Sequence, residues 1–183
     1  MKHFKASDFK ITNWSGGTTT ELFIWPETAK YSDRNFDFRL STATVEVETS
    51  IFTPLDGVDR TLMVLEGEMK LIHEGQHEIT LGPFDQDHFQ GGWNTQSEGK
   101  CVDLNLMCRG NTKGTMTHFS VLKNSSRLLE FAGTMSLIYC YRGSIQCDGV
   151  IGNTGDLFVV EQREKLEIGC LGDCEVVLIE VDG

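Results

Sequence analysis

The sequence predicts an all-β fold built as two small antiparallel barrels. Three observations carry the prediction. Short apolar runs recur between turn residues, and none extends to ten residues with a helical period. Glycine is abundant at 19 and proline scarce at 3, the punctuation of many short strands. A faint internal repeat divides the chain into two similar halves.

The elements follow in order. Trp14, Ser15, Gly16, Gly17, three threonines and Glu21 lead directly into the apolar run Leu22 to Trp25. In the stretch Phe36 to Val47 the apolar parity flips: Phe36, Phe38 and Leu40 are even, whereas Ala43, Val45 and Val47 are odd. A bulge near Ser41 and Thr42 accounts for the flip; without one, Arg39 and Ser41 share the face of Val45 and Val47. Between the turn glycines Gly57 and Gly67 lies the apolar strand Leu62 to Leu65, with Arg60 at its entrance. Met69 to Ile72 continues the pattern. Val102, Leu104 and Leu106 share one face of the next strand, and Asp103 and Asn105 share the other. Gly110 to Lys123 is rich in Thr, Gly, Asn and Ser and reads as a boundary. Ser125 to Phe131 is the best helix candidate. Ser136 to Tyr141, Leu157 to Val160 and Val176 to Val181 read as strands.

The repeat aligns Leu62 to Leu71 with Leu137 to Gln146: apolar strand, charge, glycine, alternating strand. A turn and a strand follow each copy, from Leu81 in the first and from Gly152 through Asp156 to Val160 in the second. This is the rhythm of a cupin, or RmlC-like jelly-roll, barrel. Its doubling predicts a bicupin, with residues 1–112 forming an N-terminal barrel that carries the pocket and 113–183 a smaller, degenerate C-terminal barrel.

Bulk properties exclude several functions. The 183 residues suffice for a real core. The formal charge is −11, with 16 scattered Lys and Arg against 27 Asp and Glu, which argues against nucleic acid and anionic membranes as partners. A small anion is still admissible, since a local arginine cluster can overrule the overall field. No apolar run has the length of a membrane span, and the N-terminus lacks the apolar core of a signal peptide. The six cysteines therefore read as free thiols in a reducing cytoplasm.

For metal chemistry, none of His3, His73, His77, His88 and His118 forms the His-x-His pair that metal-dependent cupins present. His73 and His77 flank the hairpin Glu74-Gly75-Gln76 and could face each other across it, but read as two exposed loop histidines. Cys170 and Cys174 have no second pair at zinc-finger spacing. No metal and no cofactor is expected. No G-x-S-x-G and no Cys–His pairing marks a nucleophile. Gly16-Gly17 could offer N–H groups to an anion, although a tight turn is the plainer use. More informative are Arg39, Arg60 and Arg109, which lie in or beside strand-like stretches, as do Thr19, Glu21, Ser41, Asp103 and Asn105. An arginine forks onto a carboxylate through two charge-assisted hydrogen bonds. The competing reading pairs Arg60 with Asp59 or Asp103, and Arg39 with Glu21, as structural ion pairs.

Taken in order, these blocks resemble the HutD/Ves family of bacterial cupin-like proteins. Trp14 to Glu21 is similar to the family's opening Trp, Gly-rich, Thr-x-Glu segment. Phe36 to Ala43 resembles its Arg-x-Ser-x-Ala strand, with Phe38 where the family has Trp. Phe52 to Arg60, running on to Gly67, is the closest block, and Asp103 to Arg109 resembles its Asp-Phe-Asn strand. The resemblance implies a two-barrel cupin without the usual metal triad, cytoplasmic, with some members linked to histidine utilisation and others to stress response. It implies no established enzymatic activity.

The resulting expectation is a non-catalytic protein that binds or senses a small polar, carboxylate-bearing metabolite. Arg39 and Arg60 would contact the anion, Asn105 and Ser41 would hydrogen-bond, Glu21 or Asp103 would orient the arginines or read a ligand N–H, and Thr19 would also belong to the binding set. Trp14 would wall the cavity. The alternative is a metal-independent isomerase or hydrolase acting on a small acid, with Glu21 and Asp103 as the acid/base pair. A protein-interaction module is a third option, and an edge-sheet homodimer is compatible with all three.

Overall fold

Alternation of side chains, rather than helical period, sets the backbone. The computed structural model describes all 183 residues and contains nineteen strands and two single-turn 3-10 segments. The chain divides into two units, Lys10–Lys113 and a second made of Met1–Phe9 with Gly114–Gly183.

The first unit holds two sheets. A six-stranded sheet runs in the order β2 (Lys10–Trp14), β3 (Gly17–Trp25), β4 (Phe38–Val45), β11 (Cys101–Arg109), β6 (Val58–Gly67), β9 (Gln86–Gln90). A four-stranded sheet runs β5 (Thr49–Ile51), β10 (Thr95–Glu98), β7 (Met69–His73), β8 (His77–Leu81). Val45, Leu62, Val64, Phe89 and Cys101 from the larger sheet meet Met69, Leu71 and Leu81 from the smaller in one buried cluster. The core therefore lies between two facing sheets.

The second unit repeats the plan. Its five-stranded sheet is ordered β1 (Lys2–Phe4), β17 (Leu157–Glu161), β14 (Met135–Arg142), β19 (Cys174–Asp182), β12 (Lys113–Val121). Its four-stranded sheet is ordered β13 (Ser126–Glu130), β18 (Lys165–Cys170), β15 (Ser144–Cys147), β16 (Val150–Asn153). Ile138, Phe158 and Val176 pack against Ile145, Leu166 and Ile168 between them.

Four expectations change. The sheets are open rather than closed barrels, because no backbone ladder joins the edges of one sheet to the other within a unit. The first nine residues cluster with the second unit, not with 10–113, because β1 pairs antiparallel with β17, Lys2 opposite Val159. The helix expected at 125–131 is strand β13, in register with β18, and Leu129 is its buried residue. The bulge expected near Ser41 is absent, since β4 pairs with β11 without a register shift from Phe38 to Val45. It sits instead on β3 between Glu21 and Phe23. Parity flips in β4 because Phe38 and Leu40 on one face and Arg39, Ser41 and Val45 on the other are all buried.

The repeat is visible in the turns. Gly67 and Gly143 both adopt positive φ, and a Cβ at either would lie 2.4 Å from the carbonyl oxygen of Lys100 or 2.6 Å from that of Asp173. Gly17 has the same role at the start of β3, where φ is +146° and a Cβ would stand 1.9 Å from the backbone oxygen of Thr44. Gly17→Ala is expected to destabilise the protein by about 3 kcal/mol or more, read as a lower thermal midpoint, because backbone must move to relieve the clash. All six cysteines are free and buried. Burial pushes the thiols of Cys101, Cys108, Cys140 and Cys147 up to about 12, which leaves them unreactive.

Candidate functional site

Strand register assembles the predicted polar residues on one face. Met107 of β11 lies opposite Arg39 on one side and Arg60 on the other. One pleat along, Asn105 lies opposite Ser41, and Ser41 opposite Glu21. One further, Asp103 and Thr19 lie opposite Ala43 from either side. Val45, Leu62, Val64 and Cys101 share this face and belong to the core between the sheets, so the polar set points inward. Arg39, Ser41, Arg60, Asp103 and Asn105 are all buried.

The two arginines differ. Arg39 Nε donates to Glu21 Oε2 at 2.8 Å, and its Nη1 donates to Ser41 Oγ at 2.9 Å. The Tyr31 ring caps its guanidinium at 4.3 Å. The structural ion pair is thus realised at Arg39. It is not realised between Arg60 and Asp59, because Lys113 and the Gln90 amide hold the Asp59 carboxylate. Arg60 instead lies over the rings of Phe52, 4.7 Å, and Phe89, 5.3 Å, and its Nε has no hydrogen-bond partner. Asn105 Oδ1 and Ser97 Oγ lack partners too. A buried donor without an acceptor costs its desolvation, so the arrangement invites an anion.

Burial lowers the Arg60 guanidinium to about 10 against the attraction of Tyr31 and Asp103. It raises the Asp103 carboxyl to about 7, with Arg60 opposing the rise. In both residues removal from water outweighs the pairing. The cluster reaches solvent at its Arg39 end, where Tyr31 is 37% exposed and the Glu21 side chain 34%.

Trp14 does not wall this space. It is 39% exposed, and its ring lies on Gly16, where a Cβ would come within 2.1 Å of a ring carbon. Gly16 and Gly17 thus serve packing and close strand approach. Tyr31 and Phe52 are absent from the expected site residues. Tyr31 sits in a 3-10 turn and Phe52 just after β5, where no alternation announces a direction.

The family of the chain follows from its sequence as a whole, for the HutD family model matches residues 6–178. The chain belongs to the HutD family. HutD from Pseudomonas fluorescens SBW25 has a TM-score of 0.75 at 22% identity, covering 99% of this chain and 97% of that one. PA5104 from Pseudomonas aeruginosa PAO1 has a TM-score of 0.83 at 19% identity, with 100% and 98% covered. The bacterial pirin YhhW of Escherichia coli, solved in complex with nickel(II), has a TM-score of 0.76 at 13% identity, with 98% and 97% covered. At these identities the likeness shows the fold, which is all-β and cupin-like. No curated protein matches the chain.

A second polar cluster of this HutD chain lies on the β7–β8 hairpin. His73 is not an exposed loop residue; it is 2% exposed and stands opposite His77 across the turn. The alternation Met69, Leu71, His73 is the signal for its inward direction. His73 Nε2 lies 2.9 Å and His77 Nε2 3.0 Å from Asp87 Oδ2. A cleft of about 440 Å³ opens beside them, lined in part by His73, His77, Asn94 and Gln96. No helix in the chain is long and apolar enough to cross a membrane.

Proposed function

We propose that the Lys10–Lys113 unit binds a small carboxylate-bearing metabolite between its sheets, and that it acts as a non-catalytic binding or regulatory protein of the HutD type. The observation that carries this reading is Arg60: a buried guanidinium with an unpartnered Nε, beside an unpartnered Asn105 carbonyl on the next strand. A carboxylate would accept from the guanidinium, and an N–H on the same ligand would satisfy Asn105. Arg39 is already oriented by Glu21 and Ser41, so it adds positive potential without rearrangement. Membership of the HutD family supports a place in histidine utilisation, inside the cytoplasm, on a pair of cupin-type jelly rolls.

One observation favours a second reading, a metal-independent enzyme acting on a small acid. Asp103 is raised to about 7, where a carboxyl can both give and take a proton. Its partner in that scheme, Glu21, is bonded to Arg39, which suits electrostatic orientation better than proton transfer.

A thermal-shift screen tests the proposal. Formate, N-formylated amino acids and free dicarboxylates are expected to raise the melting temperature, whereas the matching amides and methyl esters are not. Equal responses to acid and amide would refute anion recognition. Turnover of any stabilising acid would favour the enzyme.

A further inference from the structure

We propose that His73, His77 and Asp87 form a three-ligand site for a borderline divalent cation of the zinc class, independent of the carboxylate site. The three side chains come from two sheets. His73 and His77 are the cross-strand pair that closes the β7–β8 hairpin, so both rings stand on one face with centroids 4.6 Å apart. Asp87 reaches them from β9, on the edge of the larger sheet. One donor atom from each residue lies within 4.8 Å of the others. Tetrahedral zinc bonds of about 2.0–2.2 Å place ligand atoms about 3.4 Å apart. The present nitrogen–oxygen separations of 2.9 and 3.0 Å therefore need to widen by only a few tenths of an ångström.

The surroundings favour a cation over a plain hydrogen-bonded trio. His73 Nδ1 lies 2.8 Å from Thr95 Oγ1, and the Thr95 hydroxyl lies 3.4 Å from the Trp93 carbonyl. Donation along that path, Nδ1–H to hydroxyl and hydroxyl to carbonyl, leaves the Nε2 lone pair aimed at the cation. Outer-shell bonds of this kind fix the tautomer of metal-bound histidine. Trp93 meets both imidazoles edge-on, at 5.6 and 6.0 Å, and limits their rotation. Burial is graded, with side-chain exposures of 0% for His73, 11% for Asp87 and 39% for His77. The ion would be gripped from inside and open to the neighbouring cleft, which offers a fourth position to water or a ligand. Two imidazoles and one carboxylate suit zinc or cobalt rather than magnesium or calcium, which prefer oxygen alone.

The test is a titration of chelator-stripped full-length protein with Zn²⁺, Co²⁺ and Mg²⁺, followed by calorimetry and thermal melting. One equivalent of Zn²⁺ or Co²⁺ per chain is expected to bind and raise the midpoint, with no response to Mg²⁺. The Co²⁺ spectrum is expected to show ligand-field bands without thiolate charge transfer, which separates this site from the six cysteines. His77→Ala is on the exposed side and is expected to fold normally, and Asp87→Asn keeps the side-chain shape. Each is expected to weaken Zn²⁺ binding at least about tenfold. Absence of Zn²⁺ binding, thiolate bands, or unchanged affinity in folded His77→Ala overturns the assignment.

Discussion

Arg60→Met is expected to abolish carboxylate-induced stabilisation while leaving the ligand-free protein as stable as the parent or more so. Arg60 is 6% exposed, its Nε is unpartnered, and aromatic rings lie over its guanidinium. Its charge therefore bears a desolvation cost that the fold recovers only in part. A buried charge without a hydrogen-bonded partner costs its desolvation, and below about pH 7, where the Asp103 carboxyl is protonated, removing Arg60 strands no counter-charge, so an apolar side chain of similar volume is neutral or stabilising there. Methionine keeps an apolar contact with Phe52 and Phe89 and removes the orphaned donor. A gain in stability coupled to loss of response is the signature of a residue kept for binding. The measurement is the melting midpoint of parent and variant with and without a stabilising acid. A variant that folds and still responds fully would move the anion elsewhere.

Asp103→Asn is expected to change how stability depends on pH. The Asp103 carboxyl is raised from 3.8 to about 7, first by burial, with Arg60 opposing. A group with a raised folded value contributes stability that is complete below its unfolded value and is lost as pH rises through the folded one. The window thus runs from about pH 4 to pH 7. A tenfold change in proton affinity is worth about 1.4 kcal/mol, so the loss across the window can reach about 4 kcal/mol. Asparagine mimics the protonated acid and does not titrate. The variant should match the parent near pH 4 and exceed it above pH 7, by urea unfolding at both values. A difference that stays constant with pH would show that Asp103 does not titrate in this window. A bound carboxylate would raise Asp103 further, so affinity for the acid should fall as pH climbs past 7.

The strand-borne part of the site is readable in the sequence because alternation assigns faces without knowledge of the turns. Asp103 and Asn105 oppose Val102, Leu104 and Leu106, and that contrast carries through to the inner face of the sheet. Residues set by loops are not readable in this way. The Trp14 ring folds over Gly16 because of the hairpin it ends, and Tyr31 reaches Arg39 from a 3-10 turn. The β4 parity flip reads as a bulge only if one face alone is buried, whereas both are. The histidine pair reads as loop because spacing alone does not show that Asp87, from the other sheet, meets it.

The pairing of β1 with β17 has a consequence for synthesis. His3 stacks on Phe158 at 4.5 Å, and Asp156 accepts from the Ala6 amide at 2.8 Å. During translation these residues leave the ribosome some 150 residues ahead of their partners. The stretch 10–113 can organise meanwhile. Completion of that sheet therefore awaits β17, and a load placed on β1 would act on a strand that must wait for its partner.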